Sequence, residues 1–180
     1  EADSACSPFE MVTPFIDGAS SVAWRFDDGS NITDPFTSIS WTNESMDLET
    51  HTIELEAFNA YGCSNIHTDE VHIKPQPVAD FAMSDAEGCA PFPLVLTNNS
   101  TQADGFHWDY DDEHELNTTM SGSHTYIVEG EEAAVVRSIK LTATHSLGCS
   151  AEKTEEFEVF PEAVAAAIGT LEGCTPFDAN

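Results

Sequence analysis

Apolar and polar residues alternate along this chain in short runs, separated by Gly, Asn, Asp, Ser and Pro. Val22, Trp24 and Phe26 alternate with Ala23, Arg25 and Asp27, and Phe106, Trp108 and Tyr110 alternate with His107, Asp109 and Asp111. A period of two puts each apolar set on one face of a strand. Both strands then carry an indole inward and run into an acidic turn. In the second half the pattern predicts strands near 78–84, 92–97, 105–111, 122–128, 135–146 and 152–160. No stretch sustains a helical period. Val164 to Ile168 is alanine-rich, but its match to 79–83 predicts a strand.

The pattern repeats. Cys6-Ser7-Pro8-Phe9 recurs as Cys89-Ala90-Pro91-Phe92 and as Cys174-Thr175-Pro176-Phe177, at steps of 83 and 85 residues. Gly62-Cys63-Ser64 recurs as Gly148-Cys149-Ser150. Ile53, Leu55 and Ala57 match Ile139, Leu141 and Ala143, while Val71 and Ile73 match Phe157 and Val159. The divisions are 1–76 (its opening strand truncated), 77–161 (a complete copy) and 162–180 (the start of a third). The parent chain is expected to continue past Asn180. Short strands at this spacing predict an all-β fold of antiparallel sandwiches repeated in tandem. The junctions, Lys74-Pro75-Gln76-Pro77 and Phe160-Pro161-Glu162, hold no Gly/Ser tether. Prolines stiffen such a link, so the units are expected to form a semi-rigid rod.

Charge narrows the function classes. The 180 residues carry 33 acidic and 5 basic side chains, a formal −28. Such a surface repels nucleic acid and anionic lipid, and no run of about 18 apolar residues offers a membrane span. It suits divalent cations, salty media or a very long chain that must stay soluble.

The five cysteines sort by repeat. Cys6 and Cys63 bracket one segment and Cys89 and Cys149 the matching one, 57 and 60 residues apart. They are expected to form one disulfide per unit, with Cys174 pairing beyond residue 180. That fits an oxidising compartment. Buried free thiols are the alternative; zinc is disfavoured because no Cys-x-x-Cys occurs.

Trp24-Arg25-Phe26-Asp27-Asp28-Gly29 resembles the Trp-x-Phe-Gly-Asp-Gly signature of PKD (polycystic-kidney-disease type) repeats. His124-Thr125-Tyr126 resembles the family's His-x-Tyr stretch, Trp41 holds the aligned aromatic position, and Thr97-Asn98-Asn99-Ser100 also fits. The paired Gly-Cys motifs resemble those of long secreted surface proteins of gliding and marine Bacteroidota. Asp27 and Asp111 replace the first glycine of the signature and Glu113 replaces the second, so the turns should depart from the family's geometry. The resemblance implies tandem immunoglobulin-like β-sandwiches of about seven strands each, a structural role for His124, and extracellular spacing, adhesion or contact with protein or carbohydrate.

Candidate chemistry is sparse. Asp27, Asp28, Asp109, Asp111 and Asp112 gather at the two turns. Carboxylate oxygens on a loop can hold Ca²⁺, while the plainer reading is a solvated turn whose aspartates bond local amides. No other cofactor is indicated. No nucleophile motif occurs, and a small repeated sandwich predicts no deep pocket, so no catalysis is expected. Asn31, Asn43, Asn98, Asn99 and Asn117 head glycosylation-like triplets that also read as turn formers. Trp24, Trp108, Tyr126 and Trp41 are assigned to the core. Trp41, Phe36 and Phe15 are considered for an exposed aromatic platform for sugar; Trp41 aligns with Tyr126 and reads better as core, and Phe36, after Pro35 in a loop, is the one candidate kept. The expected role is a structural segment of a long secreted cell-surface adhesin, stalk or filament. The alternative is an accessory module by which a secreted hydrolase binds polysaccharide or protein. Expected partners are neighbouring repeats of the same chain, further copies in an oligomer or filament, and a surface glycan or protein.

Overall fold

A computed structural model of the chain describes residues 4–34, 36–112, 115–117, 121–128 and 133–163. Cys174, Glu113, His114 and the start of the third repeat lie outside the described residues. Among those residues the chain forms fifteen strands in four sheets. The elements are β1 (Ser4–Cys6), β2 (Phe9–Val12), β3 (Ser21–Phe26), β4 (Asn31–Ile32), β5 (Ser38–Trp41), β6 (Glu49–Phe58) and β7 (Ser64–Lys74). They continue as β8 (Phe81–Met83), β9 (Glu87–Cys89), β10 (Phe92–Asn98), β11 (Gly105–Asp109), β12 (Glu115–Asn117), β13 (Ser121–Tyr126), β14 (Val135–Thr144) and β15 (Ser150–Phe160).

The repeat in the sequence is a repeat in topology. One sheet runs β1-β7-β6-β3-β4 and its counterpart runs β9-β15-β14-β11-β12. Trp24 stands opposite Leu55 on β6, as Trp108 stands opposite Leu141 on β14. Phe9 pairs with Trp41 and Phe92 with Tyr126, so the aligned aromatic positions are equivalent in register. In β3 Val22, Trp24 and Phe26 are buried and Arg25 turns outward to Glu54 and Glu56 on β6, while Ala23, on the outward set, is buried too. Two separate cores result. One gathers Val22, Trp24, Phe26, Ile53, Val71 and Ile73. The other is larger and includes Phe81, Leu94, Leu96, Trp108, Tyr110, Tyr126, Ile139, Leu141 and Val159. The fold is therefore all-β, as tandem immunoglobulin-like sandwiches. Two short strands, β9 and β12, were not anticipated by the alternation.

The sandwiches differ where the sequence departs from its own repeat. The second sheet of the later sandwich has three strands, β13-β10-β8, but that of the earlier one has two, β2-β5. Phe81 on β8 meets Trp108 edge to face at 5.2 Å. Beside Trp24, where a matching ring would stand, a cavity of about 330 Å³ opens between Met11, Pro14, Ile53, Leu55 and Val71. The acidic turns also diverge: the left-handed residue is Gly29 (φ 84°) in one and Asp111 (φ 57°) in the other.

Candidate functional site at the junction between the sandwiches

The cysteines mark the place where the two sandwiches meet. Cys6 is bonded to Cys149, 143 residues away, with Cα atoms 6.0 Å apart. Cys63 and Cys89 are exposed free thiols. The expected pairs, Cys6 with Cys63 and Cys89 with Cys149, are corrected by this bridge, and the reason is geometric. β1 runs parallel to β7 and pairs Cys6 with Lys74, at the end of that strand. Cys63 precedes Ser64, where β7 begins. Ten strand steps separate those ends, roughly 33 Å, whereas a disulfide tolerates about 7 Å between Cα atoms. The later sandwich repeats the arrangement, with Cys89 opposite Phe160 at one end of β15 and Cys149 before Ser150 at the other. A bridge cannot close within a sandwich, but head-to-tail stacking brings one sandwich's opening cysteine to the next one's Gly-Cys hairpin.

That hairpin is built for the position. The Gly148 N–H donates to the His145 carbonyl at 2.8 Å, with Gly148 at φ 95°, a conformation that favours glycine. Asp104 accepts from the backbone N–H of Ser146, and bonds from Ser146 hold its carboxyl below the ordinary carboxylate range. His145 replaces Asn59 of the earlier hairpin. Its Nδ1 accepts from Leu147 N–H at 3.1 Å, as Asn59 Oδ1 accepts from Tyr61 N–H at 2.9 Å. That assigns the proton to Nε2, which donates across the junction to the Met46 carbonyl at 3.1 Å.

The facing loop, 43–47, is shaped by Asn43, which is 1% exposed. Its Nδ2 donates to the carbonyls of Asp47 and Ile73, both at 2.7 Å, and its Oδ1 accepts from the backbone N–H and hydroxyl of Ser45. Asn43 is thus a turn former whose amide is committed, which removes it as a glycan acceptor. The loop turns the carbonyls of Asn43 and Ser45 outward, and Gln102 Nε2 donates to them at 2.9 and 3.1 Å. Gln102 sits at φ 54°, where the earlier sandwich has Gly18 at φ 80°. A side chain held in that region is a cost accepted for a contact. Between the cores, Pro75 and Pro77 are fully buried, and Gln76 Nε2 donates to the Ser150 carbonyl at 2.8 Å.

The other assigned residues fall elsewhere. Trp24, Trp108 and Tyr126 are buried, and Tyr126 donates its hydroxyl to the Tyr110 carbonyl at 2.9 Å. Burial pushes the Tyr126 hydroxyl far above its ordinary range. Trp41 is only half-buried, packed against Phe9, Phe26 and His51. The five aspartates are divided between two turns. Asp27 accepts from His51, Asp28 from Ser30 N–H, Asp109 from Asp111 N–H, and Asp112 meets His124 at 2.5 Å. The Ser30 bonds hold the Asp28 carboxyl below its ordinary range. Among the described residues no group of three or more His, Cys, Asp or Glu side chains is placed to hold a metal. His124 stacks on Tyr110 at 4.6 Å and meets Tyr126 edge-on at 4.7 Å, so it fixes the core's rim. Phe15 and Phe36 stack on each other 6.5 Å apart and stay largely exposed, without Trp41. Sequence reasoning missed Gln102, His145 and Asn43 as junction residues. The only signal was departure from the repeat: Gln for Gly18 and His for Asn59.

The chain matches no protein-family model and no curated protein. Among solved structures it is similar to the PKD1 domain of Vibrio anguillarum Epp at 20% identity, covering 48% of this chain and 96% of that one, with a TM-score of 0.38. It is similar to the amphioxus IgVJ-C2 molecule at 13% identity, over 86% of this chain and 98% of that one, TM-score 0.38. It is also similar to Clostridium thermocellum CbhA fibronectin(III)-like modules at 11% identity, over 93% and 95%, TM-score 0.36.

Proposed function

We propose that this chain is a structural segment of a long, secreted cell-surface adhesin, stalk or filament, built from PKD-like repeats over 1–76, 77–161 and from 162 onward. The observation that carries this reading is the junction. A disulfide, two buried prolines and hydrogen bonds from Gln76, Gln102 and His145 tie one sandwich to the next. A joint fixed at so many points transmits orientation from bead to bead, which a spacer under load needs and an independently tethered domain does not. The disulfide fits an extracellular location, since such bonds persist in oxidising compartments. The acidic surface keeps a long rod soluble. No helix among the described residues is long and apolar enough to cross a membrane. Small-angle scattering tests the reading: one fixed, elongated two-bead shape is expected, and a profile requiring freely reorienting beads would remove it.

A second reading has one observation in its favour. The exposed, stacked Phe15 and Phe36 rings could seat a sugar face, as a polysaccharide-binding accessory module requires. Retention on insoluble glycans that F15A and F36A abolish would support it, and no retention by the unaltered chain would end it.

A further inference from the structure

Among the described residues two thiols stand unused. Cys63 lies in the β6–β7 hairpin and Cys89 ends β9, and both are exposed. Neither cysteine would be informative alone. Each, however, is the repeat-equivalent of a cysteine that is bonded in this same structure: Cys89 of Cys6, and Cys63 of Cys149. Their settings match in backbone detail. Cys89 pairs in parallel with Phe160 as Cys6 does with Lys74, and the next residue's N–H donates to that partner's carbonyl in both, at 2.8 and 3.0 Å. Cys63 follows a left-handed glycine at φ 81°, and its carbonyl accepts from Asn59 N–H; Cys149 follows one at φ 95° and accepts from His145 N–H.

We propose that Cys89 is one half of a second inter-repeat disulfide, whose other half is the Gly-Cys hairpin cysteine of the repeat that follows in the same chain. Cys63, by the same rule, is the hairpin half of a bridge to the opening cysteine of a preceding repeat. The inference rests on the reading that repeats continue beyond this segment. The displacement that carries the first sandwich onto the second, applied once more past Phe160-Pro161-Glu162, brings a third Gly-Cys hairpin to Cys89. The bridges would then form overlapping loops, each closing over most of two repeats, so that no bead could unravel while its neighbours held.

Bond formation needs an oxidant, and a glutathione disulfide supplies it. The Cys89 thiolate attacks one glutathione sulfur and expels a glutathione thiolate. The hairpin thiolate then attacks the Cys89 sulfur of the mixed disulfide and expels the second. Two protein thiols are oxidised, one glutathione disulfide is reduced, and the thiol protons end on the two glutathiones.

The third repeat can be completed by grafting residues 93–161 after Phe177, since Phe177 is equivalent to Phe92. The test is to refold both chains in glutathione buffer, alkylate them without reductant and map their peptides. The 180-residue chain is expected to label at Cys63, Cys89 and Cys174. The grafted chain should gain a bond between Cys89 and its added copy of Cys149, leaving two labelled cysteines rather than three. A bond between the added cysteine and Cys174, or label at both the added cysteine and Cys89, overturns the proposal. Should the graft misfold, the unaltered chain supplies a second test. At high concentration its intermolecular links should join Cys63 of one copy to Cys89 of another, and an equal spread over like and unlike pairs overturns the proposal. Freely reorienting beads in scattering would remove the rod and leave this bond pattern standing, so the two failures are distinguishable.

Discussion

Gln102 shows how single residues specialise a repeated frame. Its left-handed backbone, at φ 54°, costs a side chain with a Cβ roughly 1 kcal/mol, while its two bonds to the Asn43 and Ser45 carbonyls contribute roughly 1 kcal/mol each. The bonds win. Q102G should therefore destabilise the chain by about 1 kcal/mol and Q102A by about 2 kcal/mol in denaturant titrations. A Q102G protein more stable than the parent would refute the junction role. A different residue ties the opening strand of the second sandwich down: Lys153 Nζ donates to Asp80 Oδ1 at 2.8 Å and to the Phe81 carbonyl at 3.1 Å. The Lys153 bond holds the Asp80 carboxyl below its ordinary 3.8. A lowered carboxyl stabilises the fold above its unfolded value, and that contribution is lost as pH falls through the folded one. The melting difference between the parent and D80N should be present near pH 6 and shrink as pH falls below 3.8, through the lowered folded value. A difference that stays constant over that range would show that the ion pair contributes nothing to the pH dependence. The tryptophans, by contrast, were legible from alternation alone, because burial of a large ring follows directly from the face it occupies. Gln102 was not, since a polar residue in a loop carries no sign of the loop it will meet.

At the scale of elements, the sequence declares strands that alternate and hides those that do not. β14 and β15 were legible to within two residues at each end, because their apolar positions alternate within runs of ten or more residues. β9 reads Glu-Gly-Cys and offers no alternation, yet its parallel pairing with β15 decides where Cys89 sits. Missing that strand is what made a bridge within each unit look reasonable. β8 explains the difference between the two cores. It pairs with the Leu96–Asn98 end of β10 and sets Phe81 against Trp108, whereas Trp24 faces a cavity and its Nε1 has no hydrogen-bond partner among the described residues. Residues 78–86 placed ahead of Ser4 in place of 1–3 should therefore lie against residues 13–15, just past β2 and equivalent to Leu96–Asn98, and fill that cavity. Burying the transplanted Phe contributes roughly 2 to 3 kcal/mol, so the first sandwich should melt several degrees higher. The same graft with that Phe changed to Ala should lose most of the gain. Equal melting of the two grafts would mean that the cavity is not the seat of an opening strand.

For the whole molecule, the consequence of joining Cys6 to Cys149 is mechanical. The bridge closes 143 residues of chain into a loop that contains all of the first sandwich and most of the second. In the chain-entropy model a loop of that size stabilises the folded state by about 5 kcal/mol. Load adds a different effect. Tension applied at the two ends passes through the sulfurs, so the strands between them are not in the force path and cannot be drawn out even if a core melts. Pulled from its termini, the oxidised chain should extend only by the residues outside the loop. C6S removes the bridge while leaving both hydrophobic cores, Pro75, Pro77 and the Gln102 bonds in place. At about 3.5 Å per residue, its unfolding should release roughly 500 Å of additional length. Single-molecule extension with and without reductant measures this on the parent chain, and C6S should behave as the reduced parent does. Equal extension in oxidised and reduced chains would show that the bridge does not carry the load. The acidic surface gives no such protection, because repulsion among exposed carboxylates is screened in salt within about 8 Å, whereas the sulfur bond is indifferent to ionic strength. Raising the salt should therefore leave the oxidised extension unchanged.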